Sequence, residues 1–317
     1  MLVVLGLAHA AAPPPPVVNG TETFAYPEVA LLYLEDRHAN VLGFCTGSLI
    51  HAEWILTAAH CVDLSREGLA IHGVEAIFFD DTGGVARSVS ATNWFAHPDF
   101  DNMGYDDVAL IQLATPVADI APMPLDPSGV STQDLGQDFR AIGFGITGPD
   151  DDGSVVLKRF GDIALDRIDD QLLGLLDGAD GQGVCFGDSG GPIVRILDDG
   201  SAAQVGITNF LWLGAACEDA TTFAARTDYY LPWILDYTPV YTPEQIANGD
   251  WVSTVERAGA ADVPLAPRAG SLPKGAVRPD AVDQDRASCA SMPAAGVGWL
   301  ATLAMMCAQL SRRRQTH

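Results

Sequence analysis

The sequence predicts an all-β fold, and three observations lead to this prediction. Glycine (32) and proline (20) are both frequent among the 317 residues. The apolar runs are short, and clusters of Gly, Asp and Asn, which favour turns, separate them. Between Val17 and Tyr237, only Tyr229–Leu235 has a helix-like pattern. We therefore expect strands throughout this region, with one short helix at its C-terminal end.

The predicted strands follow one another at short intervals along residues 17–237. Each is an apolar run bounded by a turn signal: Val29–Leu34, Trp54–Thr57, Val108–Leu113, Phe139–Gly143, Pro192–Ile196 and Gln204–Thr208. We find no internal repeat among them. A chain of 317 residues that is 48% hydrophobic is long enough to bury one large core or two small ones.

The charge balance excludes two classes of partner. The chain has 17 basic and 41 acidic residues, which give a formal net charge of −24. Such a surface repels the phosphates of nucleic acids and anionic lipid headgroups. The charge is typical of a soluble exported protein. Halophilic or Ca²⁺-rich surroundings are an open alternative.

The six cysteines divide into two groups. Four lie at positions 45, 61, 185 and 217, and two lie near the C-terminus. No CxxC pair and no Cys/His zinc spacing is present, so we expect neither a metal nor a cofactor. The even number in the central region suggests two disulfides and hence an oxidising compartment.

Residues 1–16 are predicted to be a signal peptide or the remnant of a propeptide. Leu2–Leu7 is a short apolar stretch, and Ala8-His9-Ala10 has the small residues that suit cleavage. A disordered N-terminus is the alternative. If the prediction is correct, the mature protein begins near Val17.

The C-terminal part divides into two segments of different composition. Residues 238–288 are rich in Pro, Ala, Asp and Gly, which predicts a disordered linker. Residues 289–317 contain the apolar stretch Pro293–Leu310, followed by Arg312–Arg314. The stretch is close to the minimum length of a membrane span, and the arginines would lie on its cytoplasmic side. We expect residues 289–317 to be a sorting or anchoring tail, and the only route to a membrane.

Three segments offer a nucleophile, a base and an acid. Ser189 lies between glycines in Cys185–Pro192, His60 follows small residues, and Asp107 follows Asp106 just before an apolar strand. A serine hydroxyl is a weak nucleophile unless an imidazole takes its proton and a carboxylate orients that imidazole. The chain order His, Asp, Ser is one of the known orders of such a triad.

These segments resemble the trypsin/chymotrypsin family of serine proteases. TAAHC, DDVAL and CFGDSGGP are similar to its three signature blocks, and VVNG is similar to its mature N-terminus. The resemblance covers about residues 17–235. It implies two antiparallel six-stranded β-barrels with the active site between them. It also implies an endopeptidase that acts on proteins or peptides.

The resemblance assigns a role to each site residue. His60 would be the general base and then the general acid, Asp107 would orient it, and Ser189 would attack the substrate carbonyl. Asp106 is the competing acid, but the family pattern places the catalytic carboxylate directly before Val-Ala-Leu. The backbone N–H groups of Gly187 and Ser189 would form the oxyanion hole.

The resemblance further implies how the chain is held together and activated. A new amino terminus at Val17 would pair with Asp188. Pro16 replaces the basic residue that usually precedes such a terminus, so a different activating protease is expected. The alternative is that Val17 only begins the first strand. Two disulfides are implied, Cys45–Cys61 and Cys185–Cys217.

The predicted substrate pocket favours small apolar P1 residues. Gly183 holds the family's pocket-floor position, and Leu211 and Thr222 replace two wall glycines, which would shorten the pocket. Asp180 is near the floor position but out of register. A charged P1 side chain would therefore lose water without gaining a partner.

A second function from another class stays open. Some family members have lost catalysis and act as binding modules, so the chain could be an inactive trypsin-like module on the cell surface. The C-terminal tail resembles the sorting tags of some bacteria, notably the myxobacterial type. We expect the protein to be secreted or anchored at a bacterial cell surface.

Overall fold

The computed structural model describes residues 17–101, 104–148, 153, 156–178, 181–212, 217 and 220–251. Their strands are β1 Thr21–Glu22, β2 Val29–Glu35, β3 Val41–His51, β4 Trp54–Thr57, β5 Gly73–Phe79, β6 Val85–Ala96, β7 Ala109–Leu113, β8 Asp138–Gly143, β9 Arg159–Ile168, β10 Leu172–Leu176, β11 Pro192–Ile196, β12 Ala202–Trp212 and β13 Thr221–Arg226. All six predicted strands are present, and two of them have the predicted bounds.

The first barrel is closed by six antiparallel strands in the order β2-β3-β4-β7-β6-β5. Strand β4 pairs with β7 so that Trp54 lies opposite Gln112 and Thr57 opposite Ala109. All four β4 residues are buried. This pairing matters for function because β4 leads into the segment that contains His60, and β7 follows Asp107.

The second barrel is formed by β8 to β13. The strands run in the order β9-β10-β13-β12-β11-β8, and the pairing of β8 with β9 closes the ring. Strand β1 is added at the edge of β9. The expectation of two antiparallel six-stranded barrels is therefore confirmed. The loop between β10 and β11 contains Ser189, so the nucleophile belongs to the second barrel.

A helix, α1 (Thr227–Leu235), follows the last strand of the second barrel and packs on the first barrel. Its buried residues Tyr230 and Ile234 belong to the hydrophobic core of the first barrel. The predicted helix at residues 229–235 is thus confirmed. Helix α1 connects the two barrels, a point that matters for the geometry around Asp107.

The predicted start of the linker at residue 238 is too early. A second short helix, α2 (Pro243–Ala247), follows α1. Tyr241 is 5% exposed and its ring stacks on His51, with a distance of 6.1 Å between ring centroids. The Leu125 N–H donates a hydrogen bond to the Tyr241 carbonyl. Apolar side chains anchor this segment despite its proline-rich composition.

The remaining terminal predictions lie outside the described residues. They are the signal peptide or propeptide at 1–16, the rest of the linker, and the tail at 289–317. Within the part of the chain that the structure describes, no helix is long and apolar enough to cross a membrane.

Candidate active site

His60 lies in a 3₁₀ turn, Ala59–Cys61, directly after β4. Cys61 forms a disulfide with Cys45 of β3, as the resemblance implied. The turn is therefore tied on one side to the barrel by β4 and on the other by a covalent bond. This attachment fixes the backbone from which the His60 imidazole projects.

Asp107 binds His60 through both of its carboxylate oxygens. Oδ2 lies 2.6 Å from His60 Nδ1, and Oδ1 accepts the His60 backbone N–H at 2.8 Å. Asp107 is 2% exposed. An ionised carboxylate only accepts hydrogen bonds, so Nδ1 carries the hydrogen and Nε2 of the neutral ring is left as a base. The structure thus brings together the two residues that were predicted from the sequence to act together.

The electrostatics of this pair favour a charged imidazole. Burial by itself lowers the pKa of His60, but the negative charge of Asp107 and its hydrogen bond outweigh burial and raise that pKa above its usual value. The Glu67 carboxylate adds to the rise. An imidazolium formed when His60 takes a proton is thus stabilised where it forms.

Ser189 is held against the first barrel by its own backbone. Its carbonyl oxygen accepts the Thr46 N–H at 2.9 Å and lies 3.6 Å from Cys61 Sγ. The Thr46 hydroxyl donates to the Gly187 carbonyl at 2.8 Å. Within the described residues no hydrogen bond reaches the Ser189 hydroxyl, a looseness that is common before substrate binds.

The loop around Ser189 needs its glycines. Gly187 has φ +99°, and a Cβ there would lie 2.2 Å from the Phe44 ring. Gly190 has φ +78°, and a Cβ there would lie 2.0 Å from Thr57 Oγ1. A side chain at either position would push the loop away from the first barrel. These close contacts explain why the serine is flanked by glycine on both sides.

The N–H groups of Gly187 and Ser189 are available for an oxyanion. The N–H groups of Asp188, Gly190 and Gly191 donate to carbonyl oxygens of Cys185, Thr208 and Asp188. Those of Gly187 and Ser189 have no acceptor among the described residues. They are the two donors that the resemblance assigns to the oxyanion hole.

The fold and this geometry agree with comparisons to known proteins. The family model described as Trypsin matches residues 17–234. Brachyurin from Leptuca pugilator is 31% identical over 71% of this chain and 99% of its own length. An inactive serine proteinase from the venom of Crotalus adamanteus is 31% identical over 61% of this chain and 77% of its own length. The solved structure of HL collagenase matches with a TM-score of 0.55 and 26% identity, and the match covers 69% of this chain and 97% of that one.

The chain belongs to the trypsin family. Membership and the homologous proteases support a serine-protease hydrolase. The second disulfide that the family resemblance implied is also present, between Cys185 and Cys217. It joins the loop containing Ser189 to the segment that follows β12. Disulfides of this kind are typical of secreted proteins.

Asp188, which the resemblance predicts to take part in activation, is enclosed by backbone. It is 1% exposed, and its carboxylate accepts the N–H groups of Gly145 and Cys185, each at 2.8 Å. Burial raises the pKa of Asp188 to about 7, although the two amides and the charge of Arg159 oppose this rise. Val17 is fully buried. The predicted pair of Val17 with Asp188 stays a prediction.

Sequence reasoning missed the glycines that make this enclosure. A Cβ at Gly143 would lie 2.2 Å from Asp188 Oδ1, and one at Gly145 would lie 2.5 Å from its Oδ2. These residues are more than 40 positions away along the chain, and no local pattern marks them. Arg159 was missed as well, because its position opposite Gly143 follows from the β8–β9 pairing and not from the sequence.

The residues predicted to form the pocket do lie close together. Leu211 is the register partner of Thr222, and Leu211 packs on the cluster of Val18 and the Cys185–Cys217 disulfide. Thr222 is 1% exposed, and its hydroxyl has no hydrogen-bond partner among the described residues. Val18 also forms a β-bridge with Gly183.

One carboxylate near the pocket was missed. A Cβ at Gly183 would lie 2.4 Å from Asp177 Oδ1, so the Asp177 carboxylate occupies the space of a side chain at the position predicted to be the pocket floor. The sequence analysis considered only Asp180, which lies outside the described residues. The sequence signal that could have pointed to Asp177 is Gly183, because a position without a side chain leaves room for the side chain of a neighbouring residue.

Proposed function

We propose that this protein is a serine endopeptidase that uses an acyl-enzyme mechanism. The observation that carries the proposal is the double contact of Asp107 with His60, which leaves Nε2 as the base beside the serine loop. The first barrel supplies the base and its orienting acid, and the second barrel supplies the nucleophile. Catalysis therefore depends on how the barrels meet.

The mechanism follows from these positions. Ser189 Oγ attacks the peptide carbonyl while its proton passes to His60 Nε2. The carbonyl oxygen becomes negative and accepts hydrogen bonds from the N–H groups of Gly187 and Ser189. The C–N bond then breaks as His60 returns the proton to the departing amine. Water then attacks the acyl-enzyme ester while His60 Nε2 takes one of its protons. His60 returns this proton to Ser189 Oγ as the ester bond breaks, which releases the acid product and frees Ser189.

The experiment uses a fluorophosphonate probe and a peptide substrate. Wild-type protein should be labelled and should cleave the peptide, and Ser189→Ala should do neither. His60→Ala should lose most activity. Asp106→Asn is the control. Among the described residues the Asp106 side chain makes no contact with His60, so this variant should retain most activity. If Asp106→Asn were more damaging than Asp107→Asn, the triad assignment would be wrong.

The alternative is a catalytically inactive binding module. One relative is named as an inactive serine proteinase, which shows that sequence similarity at this level includes proteins without activity. Absence of labelling in correctly folded, processed wild-type protein would favour this alternative. The presence of His60, Asp107 and Ser189 in one site supports the enzyme.

Activation is part of the proposal. After another protease removes the residues before Val17, the new ammonium group would pair with Asp188. The support is the burial of both residues. Protein that begins at Val17 should be active, whereas protein that retains residues before it should be much less active. Equal activity of the two forms would contradict the pair.

For the substrate, we propose small apolar P1 residues such as Ala and Val. Leu211 and Thr222 support this, because they are register partners on neighbouring strands and carry side chains at the two positions where the family resemblance implies glycines. In a series of peptides that differ only at P1, Ala and Val should have the highest kcat/KM. The double variant Leu211→Gly with Thr222→Gly should shift the preference towards Phe.

A second P1 preference, for Lys and Arg, is favoured by Asp177. Its carboxylate lies beside Gly183, and a basic P1 side chain could also donate to the Thr222 hydroxyl. If the wild type prefers Lys or Arg, Asp177→Asn should abolish that preference while cleavage after Ala is retained. Asp198→Asn, at an exposed turn, is the matched control. The same peptide series therefore decides between the two preferences.

We also propose that the protein is secreted and held at the bacterial surface by residues 289–317. The disulfides support export. Truncation after residue 251 should release active protein into the medium, whereas the full chain should fractionate with the cell envelope. Equal release of both forms would argue against an anchor.

A further inference from the structure

The turn that precedes Asp107 is held by one residue of β12 and one residue of α1. This turn, residues 104–107, lies between β6 and β7 of the first barrel. The Gly104 carbonyl accepts a hydrogen bond of 2.7 Å from the Asn209 side-chain amide of β12. The Asp106 N–H donates at 3.0 Å to the hydroxyl oxygen of Tyr230 in α1. The donor Asn209 and the acceptor Tyr230 both lie more than 100 positions further along the chain than the turn.

The turn contains two residues with positive φ. Asp106 has φ +54°, in the left-handed region that residues other than glycine rarely adopt. Gly104 has φ +100°, and a Cβ there would lie 2.4 Å from the Phe210 ring. Such conformations persist when surrounding contacts impose them. Here these contacts come from Tyr230, Asn209 and Phe210.

Tyr230 is suited to holding the turn. It is 1% exposed, and its hydroxyl hydrogen can be donated to Asp106 Oδ1 or to Gln171 Oε1, each at 3.2 Å. Burial and the nearby Asp106 charge raise the pKa of Tyr230 well above its usual value, so the hydroxyl keeps its hydrogen. The His97 ring packs against Tyr230 at 5.4 Å between centroids.

A shift of the turn would be passed to the Asp107–His60 pair through a single peptide unit. Asp107 follows Asp106 directly, and both of its oxygens are committed to His60. A change in the Asp106 backbone would rotate Asp107 and lengthen the 2.6 Å contact. We propose that Tyr230 and Asn209 are positioning residues that hold Asp107 in register with His60. This inference rests on the proposed function, because the positioned group is the catalytic acid.

The test compares two adjacent tyrosines. Tyr230→Phe removes the hydroxyl that holds Asp106, whereas Tyr229→Phe removes one whose partner among the described residues is the Gln171 side-chain amide. We expect Tyr230→Phe to lower kcat by about 10-fold with KM changed less than about 2-fold, since the lost contact affects orientation and not substrate binding. Tyr229→Phe should match the wild type.

The pKa of His60 gives a readout that a purely structural role would not move. Loosening the Asp107 contact removes what raises this pKa, so its midpoint should fall in Tyr230→Phe and in Asn209→Ala. The charged and titratable groups nearby, Asp106, His97, Asp99 and Glu67, stay in place in both variants. The midpoint is measured from the pH dependence of kcat/KM and, independently, from an NMR titration of the imidazole.

Each outcome has a distinct meaning. An unchanged His60 pKa and kcat in both folded variants would overturn the inference, even if Tyr230→Phe is less stable. If Tyr230→Phe does not fold, Asn209→Ala decides alone. If the wild type proves inactive, the proposed function fails. The NMR titration of His60 still tests whether Tyr230 and Asn209 position Asp107.

Discussion

The burial of Asp188 predicts how the stability of the unprocessed protein depends on pH. Its pKa is about 7 in the folded chain, against an ordinary value near 3.8. A carboxyl group whose pKa is higher in the folded than in the unfolded protein makes its full contribution to stability at pH values below the unfolded pKa. That contribution is lost as the pH rises through the folded pKa. The free energy of unfolding should therefore fall between these two values.

The size of the effect follows from the difference in pKa. A difference of about three corresponds to roughly 4 kcal/mol, and about 3 kcal/mol of it should be lost between about pH 5 and pH 8. Glu28, whose burial raises its pKa to about 6, contributes a loss of the same sign. The prediction therefore concerns the difference between the wild type and Asp188→Asn, in which the other groups cancel.

The assay is urea denaturation at the two pH values, on protein that retains the residues before Val17. The wild type should lose several kcal/mol of stability more than Asp188→Asn does over this pH range. Asp198→Asn, at an exposed position, should behave like the wild type. Protein that begins at Val17 should show a weaker loss, because an ammonium partner would keep Asp188 charged. Identical pH dependence in the wild type and Asp188→Asn would refute the reasoning.

Three further predictions concern the active-site geometry. Asp107→Asn should lower kcat about 10⁴-fold, measured with peptide substrate, because the amide cannot hold the His60 tautomer. The kcat/KM of the wild type should rise with pH at a midpoint above about 6.5, since the raised pKa keeps the His60 imidazole protonated to higher pH; a lower midpoint would contradict it. Gly190→Ala should destabilise by more than about 2 kcal/mol in urea denaturation because its Cβ would lie 2.0 Å from Thr57 Oγ1. Gly200→Ala, at a similar φ of +84° with open space around it, should cost less than Gly190→Ala.

The sequence alone was sufficient wherever the signal is local. Trp54–Thr57 and Pro192–Ile196 are apolar, β-rich runs between turn residues, and their bounds were predicted as observed. Strand β6 was not predicted, because half of its 12 residues are exposed and its apolar and polar residues do not alternate regularly. The three proposed catalytic residues were identified because each lies within a short, specific motif.

Tertiary structure decided the features that depend on contacts between distant parts of the chain. Tyr230 contacts Asp106 across 124 positions, and nothing in either segment alone marks the pair. The placement of the Asp177 carboxylate beside Gly183 depends on the path of a loop, which turn residues permit but do not specify. Motifs indicated which groups are proposed to react, because that chemistry needs particular neighbours. The folding of two barrels against each other determined how those groups are held, because packing acts between residues that are close only in space.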